Sequence, residues 1–109
     1  MADTTVIFLG LKMEVAIDEI PALESRSFPI LVSARRAGLE HYWGNFESPD
    51  ERYWLFIGKL LGRLGIEDEQ EVVISPQSLV SQSTDVAEKL RDAGLPGAPV
   101  LYIELQRDS

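Results

Sequence analysis

The residues best suited to chemistry lie at one point in the chain, where large aromatic side chains are followed directly by carboxylates. Trp and Tyr are the residues most enriched at protein-binding hot spots, and a glycine among them would let a partner's backbone approach closely. An alternative is that these rings belong to the core, because the chain has only two Trp, three Tyr and four Phe. The residues of this aromatic turn predicted to contact a partner are Tyr42, Trp43 and Gly44, and the carboxylates that follow it are Glu47, Asp50 and Glu51.

Catalysis has weaker support in the sequence. His41 is the single histidine, and Glu47 or Ser48 could pair with it, but no nucleophile elbow or oxyanion glycine pattern accompanies them. The acidic run at residues 67–71 lacks the glycine and the alternating ligand spacing of a calcium loop. Neither a dinucleotide fingerprint nor a P-loop is present. We therefore expect a protein that is not an enzyme, with no cofactor and no metal.

Composition narrows the class of partner. The 109 residues include 18 acids and 10 bases, which gives a net charge of −8. This charge disfavours nucleic acid as a ligand, because phosphate backbones would be repelled, and it favours a basic protein, because opposite fields speed encounter. The chain has no cysteine, which excludes disulfides and thiolate chemistry.

Hydropathy and the N-terminal residues bear on location. No apolar run approaches the roughly 20 residues of a membrane span, and the first residues lack the basic region of a signal peptide. We expect a cytoplasmic protein without membrane association. Its oligomeric state, monomer or homodimer, stays open at this stage.

The first third of the chain predicts a strand and then a segment of uncertain type. Residues 6–17 begin as a continuous β-prone run and then alternate apolar with polar positions, until Pro21 ends the pattern. Residues 28–39 could be a helix, with Ser27 as its cap and Gly38 at its end, or a hairpin. We favour the helix, because good helix formers precede Gly38.

The next segment carries the strongest helix signals. Residues 48–51 read Ser-Pro-Asp-Glu, the pattern of a capping box with proline at the first helical position. Gly58 and Gly62 lie on one flank of the predicted helix beside Leu55, which indicates that another element packs closely there. The apolar stripe at helical spacing comprises Tyr53, Ile57, Leu60, Leu61 and Leu64.

The remaining elements complete a predicted fold. Residues 71–75 predict a buried strand, residues 84–93 a helix, and residues 99–105 a final strand. Helices that connect strands favour an α/β fold in a single domain, residues 1–109. The expected architecture is a small three-stranded, mainly parallel sheet packed with three or more helices.

Residues 39–46 and 90–103, together with the predicted order of elements, resemble the barstar-type inhibitors of ribonucleases. Residues 39–46, Leu-Glu-His-Tyr-Trp-Gly-Asn-Phe, resemble that family's Leu-Pro-x-Tyr-aromatic-Gly-x-Asn segment, and residues 90–103 resemble its final helix and strand. The resemblance implies a three-stranded parallel sheet and an inhibitor that plugs a nuclease active site with the aromatic turn and nearby acids.

Two functions therefore stand as hypotheses. The first is a small acidic protein-binding module, an inhibitor or immunity-type protein that blocks a basic enzyme such as a ribonuclease or a toxin. The alternative is a self-associating or small-ligand-binding domain, with Leu55, Gly58 and Gly62 as its close-packing flank.

Overall fold

The computed structural model describes residues 3–45, 52–95 and 97–106. In chain order these residues form β1 (Thr4–Val15), a 3-10 turn (Ile17–Glu19), α1 (Ile20–Glu24), α2 (Pro29–Arg36), β2 (Glu40–Gly44), β3 (Tyr53–Leu64), α3 (Pro76–Asp92) and β4 (Val100–Gln106). Among these residues α3 is the longest helix, and none has both the length and the apolar character to cross a membrane.

The four strands form one antiparallel sheet in the order β2-β3-β1-β4. The strands alternate with helices as β-α-β-β-α-β, the split β-α-β connectivity of ferredoxin-like domains. The prediction of a three-stranded, mainly parallel sheet with three or more packed helices is therefore wrong, since two main helices, α2 and α3, accompany this sheet. The parallel sheet implied by the barstar resemblance is wrong for the same reason.

The main cause of this error is β3, which the sequence predicted as a helix. Its described residues pair with β1 on one side and with β2 on the other. Leu55, Phe56 and Ile57 are consecutive and all buried, because a central strand is covered on both faces and loses the alternation that marks a half-exposed strand. The capping box at residues 48–51 lies outside the described residues.

Two glycines bring β1 and β3 unusually close. Gly10 and Gly58 are paired across the two strands, with φ of 158° and 154°. A Cβ added to Gly58 would lie 2.1 Å from the carbonyl oxygen of Leu9 and 2.7 Å from the Cα of Gly10. The close approach predicted at Gly58 is thus confirmed, and the neighbour is a strand of the same chain.

The second misread segment is residues 71–75, predicted as a strand. These residues form neither strand nor helix. Val72 packs on β3 instead, where a Cβ at Gly62 would be 2.6 Å from its Cγ2. The following helix, α3, begins at Pro76 with Ser75 as its N-cap, accepting a hydrogen bond from the Ser78 amide at 3.1 Å, so the predicted start at residue 84 was too late.

Three predicted elements are confirmed. β1 and β4 are strands close to the predicted positions. Residues 28–39 contain the helix α2 rather than a hairpin, and Gly38 ends it in the left-handed region, at φ 84°. Ser27 is not its cap, because Phe28 occupies that position.

The sheet has a different core on each face. On the helix-bearing face, residues of the two main helices, α2 and α3, pack against β1 and β3 together with Leu23 of the short α1. That core contains Leu9, Val15, Leu23, Leu31, Ala34, Leu39, Leu55, Ile57, Val86 and Leu90. The opposite face holds a smaller cluster around Val6, Phe8 and Phe56.

Candidate protein-binding edge

The most unusual surface of the molecule is the edge strand β4. One side of β4 pairs with β1, and no strand within the described residues pairs with its other side. Leu101, Ile103 and Leu105 alternate along it with 38%, 64% and 38% of their surface exposed. Successive side chains of a strand point to opposite faces, so these three lie in one row on the helix-bearing face.

This row is exposed because the helices stop short of it. α3 packs against β1 and β3 and places Val86 and Leu90 in the core. In the register of the sheet, Leu101 lies beside Leu9 and Ile103 beside Ile7. Leu9 and Ile7 are buried, whereas their neighbours on β4 are not. The hydrophobic cover therefore ends between β1 and β4.

On the opposite, helix-free face of the sheet, the side chains of β4 contact other residues of the chain. Tyr102 meets Phe56 edge-on with ring centroids 5.5 Å apart. The Glu104 carboxylate pairs with the Lys12 ammonium at 2.6 Å. The Tyr42 hydroxyl donates a hydrogen bond to the Gln106 side-chain oxygen. The strand thus turns its polar positions towards half-buried internal partners and its apolar positions towards solvent, the reverse of an ordinary surface strand.

Further apolar surface is exposed elsewhere on the chain. On α3, Val80 is 67% exposed, and it lines a groove of about 360 Å³ with Ala87, Arg91 and Pro99. Because Pro99 immediately precedes β4, this groove opens beside the first residues of that strand. Single exposed apolar residues are common, whereas a row of them beside an edge that no described strand pairs with is typical of surfaces that bind other chains or aggregate.

The residues predicted to form a partner-binding turn do not lie on one surface of the structure. Tyr42 and Trp43 are consecutive on β2, so their side chains point to opposite faces of the sheet. Gly44 follows them and is buried. The predicted turn is therefore a strand, and its two rings do not form one surface. Glu47, Asp50 and Glu51 lie outside the described residues, and their role stays a prediction.

Both rings have partners inside the molecule. On the helix-free face, the Arg63 guanidinium lies 5.6 Å from the centre of the Tyr42 ring, and the Tyr42 hydroxyl reaches Gln106. On the helix-bearing face, Trp43 packs against the core and lies 6.2 Å from the Tyr53 ring. Each ring is half-buried, and both help hold β2 in place.

His41 lies on β2, on the same helix-bearing face of the sheet as Trp43. Burial lowers the pKa of His41 below its usual 6.5, and the nearby charges of Arg26 and Arg35 lower it further. The predicted partners Glu47 and Ser48 lie outside the described residues. Because burial and the two cations all lower its pKa, His41 is predominantly in the neutral form near neutral pH.

The acidic run forms a turn after β3. Asp68 accepts a hydrogen bond from the Thr4 hydroxyl at 2.9 Å, and Glu69 accepts one from the Arg63 amide at 3.4 Å. Within the described ranges no group of three or more His, Asp and Glu side chains is arranged to hold a metal ion. These acids tie the turn to the sheet.

Sequence reasoning did not single out the β4 edge. The alternation Leu101-Tyr102-Ile103-Glu104-Leu105 was visible as a strand with one apolar face. Nothing in it indicates whether a helix covers that face, since cover depends on elements distant in the chain.

No protein-family model matches the chain, and searches among curated proteins and solved structures found no significant match. The class that the structure itself defines is an antiparallel α+β domain with an exposed apolar strand edge. Because ferredoxin-like folds carry many unrelated functions, the function must be argued from this edge.

Proposed function

We propose that the protein is a protein-binding module that docks an extended segment of another polypeptide along β4. The observation that carries the proposal is the row Leu101, Ile103 and Leu105, exposed beside a strand edge that none of the described strands pairs with. Strand addition at such an edge takes affinity from main-chain hydrogen bonds and specificity from alternate side chains.

The apolar row supplies a driving force for docking. Full burial of a Leu or Ile side chain is worth about 1.5–3 kcal/mol, and these three still expose between 38% and 64% of their surface. Covering them would therefore contribute on the order of 1 kcal/mol each. The side chains on the helix-free face of β4 already have partners within the chain. A docked segment therefore needs only to form main-chain hydrogen bonds with the edge and to cover the apolar row.

Docking needs a rigid strand, and the internal contacts of β4 provide one. Lys12 holds Glu104 from the neighbouring strand β1, and Tyr42 holds Gln106 from the far edge of the sheet. A preorganised strand loses little conformational freedom on binding, which favours affinity.

A photocrosslinker placed at the edge tests this proposal in the cell. Benzoylphenylalanine in place of Ile103 should give a discrete covalent adduct, whereas the same group in place of Ile66 should not. Ile66 is the matched control, because it is 85% exposed yet lies outside the strands. Equal labelling from both positions, or no adduct from Ile103, would refute binding along β4.

A second candidate function, predicted from the sequence, is inhibition of a basic protein. The net charge of −8 favours this function. In that case binding would weaken as salt rises, because screening removes the attraction between opposite charges. Binding of the basic protein would also be unaffected by Ile103→Lys. It would be lost in the triple variant Glu47→Gln, Asp50→Asn and Glu51→Gln. Titration of a candidate nuclease or toxin with these variants would separate the two candidates.

A further inference from the structure

We infer that the polypeptide docked on β4 is a second copy of this chain, paired antiparallel through β4 and related by a two-fold axis at Ile103. The inference rests on the proposed function and names the partner for the same edge. A two-fold interface requires a surface that is complementary to itself. The β4 sequence is complementary to itself in one antiparallel register.

The apolar residues fix that register. With the axis at Ile103, this side chain faces Ile103 of the second copy, and Leu101 faces Leu105. All three exposed residues then lie opposite apolar neighbours, at the 4.5–5.5 Å spacing typical of cross-strand pairs. A two-fold axis perpendicular to the sheet keeps both rows on the same face, so the two rows become one continuous apolar surface.

Charge supports the same register. Glu104 is the only charged residue of β4, and with the axis at Ile103 it faces Tyr102 of the second copy. Moving the axis to Glu104 would place two carboxylates opposite each other, which is destabilising, and would leave Leu101 beyond the pairing. Moving it to Tyr102 would remove Leu105 from the apolar row. With the axis at Ile103, each Glu104 keeps its ion pair with Lys12 at 2.6 Å and faces a tyrosine ring instead of the other carboxylate.

The overall charge gives this dimer a diagnostic salt dependence. Two chains of net charge −8 repel each other, and salt screens that repulsion over a Debye length of about 8 Å at physiological ionic strength. The dimer should therefore tighten as salt rises. A complex with a basic protein would do the opposite.

Sedimentation equilibrium of the purified chain tests the inference. We expect a monomer–dimer equilibrium that shifts towards dimer at higher salt. Ile103→Lys should weaken the dimer roughly a hundredfold, because it removes the central apolar contact from both copies and places two like charges opposite each other. The matched control Ile66→Lys, equally a change of an exposed isoleucine to lysine, should dimerise like the wild type.

Cysteine cross-linking tests the register, since the chain contains no cysteine of its own. Ile103→Cys should form an intermolecular disulfide, because the two Cα atoms would be within the 4.4–6.8 Å range of disulfides. Leu101→Cys alone should oxidise slowly, and Leu101→Cys combined with Leu105→Cys should cross-link readily. Equally rapid oxidation of Leu101→Cys alone would contradict the axis at Ile103.

The outcomes distinguish the inference that the partner is a second copy from the proposal that a partner binds along β4. A wild-type chain that remains monomeric at high concentration in both low and high salt overturns the inference. The cellular adduct at Ile103 then decides the proposed function: a product of twice the 12.2 kDa chain mass supports both. A discrete adduct of another mass supports binding along β4 and refutes the second copy.

Discussion

The two edges of the sheet differ in how far the rest of the chain covers them. At β2, the side chains on the helix-bearing face, His41 and Trp43, are half-buried, and α2 packs against the strand. At β4, the residues on the same face are exposed, and no described strand follows. The comparison teaches that composition alone does not make an edge available for binding, since both edges carry large apolar side chains.

The cause of the difference lies in the connections. α2 ends at Arg36, and Leu39, just before β2, is buried in the same core. Its amide donates a hydrogen bond to the Ala34 carbonyl at 2.9 Å, so the helix and the strand are held together. α3 is linked to β4 by a longer connection and packs over β1 and β3. One edge strand is covered by the helix before it, whereas the other is not.

The largest expected effect is on the stability of the whole sheet, because the substitution separates β1 from β3, the two central strands that hold the edge strands β4 and β2. Gly58→Ala should destabilise the fold by more than about 4 kcal/mol, because its Cβ would collide with the Leu9 carbonyl oxygen and the Gly10 Cα. Gly94→Ala is the control: Gly94 has a φ of 76° but no atom near the added Cβ, so only about 1 kcal/mol should be lost. Urea denaturation of both variants measures the difference. Similar losses would show that the β1–β3 approach is not tight.

The next effect contrasts the apolar side chains of the two edges. Trp43→Ala should lower the free energy of unfolding by about 2 kcal/mol, since the half-buried ring packs against the core. Ile103→Ala should change it by less than about 0.5 kcal/mol when measured at a concentration where the chain is monomeric. A large loss from Ile103→Ala in the monomer would mean that the β4 row is structural.

A smaller effect tests the link between the edges. Tyr42→Phe removes the hydrogen bond from β2 to Gln106 on β4 and should cost about 1 kcal/mol. Gln106→Leu should cost a similar amount, and the double variant should cost little more than either alone. Additive losses in thermal or urea unfolding would show that the two residues stabilise the sheet independently.

The smallest effect is a dependence on pH at the β2 edge. Since the pKa of His41 is lowered in the folded chain, the unfolded chain takes up the proton first as the pH falls through about 6.5. Wild-type stability should therefore decrease over this range, by an amount that is absent in His41→Gln. The difference between the two unfolding curves from pH 7.5 to about 5 measures it. A wild type that gains stability relative to the variant would contradict the lowered pKa.

How much the sequence could predict depends on how locally each element is determined. α2, β1 and β4 are set by their own residues, such as Gly38 after a run of helix formers, and they were predicted correctly. β3 was not, because Tyr53, Ile57 and Leu61 fit helical spacing while the strand's real determinants are β1 and β2 on either side. The aromatic content of residues 53–57 was a signal for a strand, and the interior glycines Gly58 and Gly62 argued against a helix.

The candidate site was harder to predict than the elements. Once β3 was taken for a helix, the sheet had too few strands for any edge to be identified. The exposed row on β4 depends on where α3 ends its cover, which is a property of the packed molecule. Tyr42 and Trp43 were predicted to form one binding surface, but on a strand a two-residue period places them on opposite faces.

The pairing of β1 with β4 joins residues separated by most of the chain, as Thr4 lies opposite Gln106. At a synthesis rate of about 5–20 residues per second, β1 would leave the ribosome roughly 5–20 s before β4. Until β3 emerges β1 has neither of its neighbours, and until β4 emerges the row of Ile7 and Leu9 has no strand beside it on that edge. Until β4 emerges, the newly made chain therefore exposes an unpaired edge of β1, which favours aggregation.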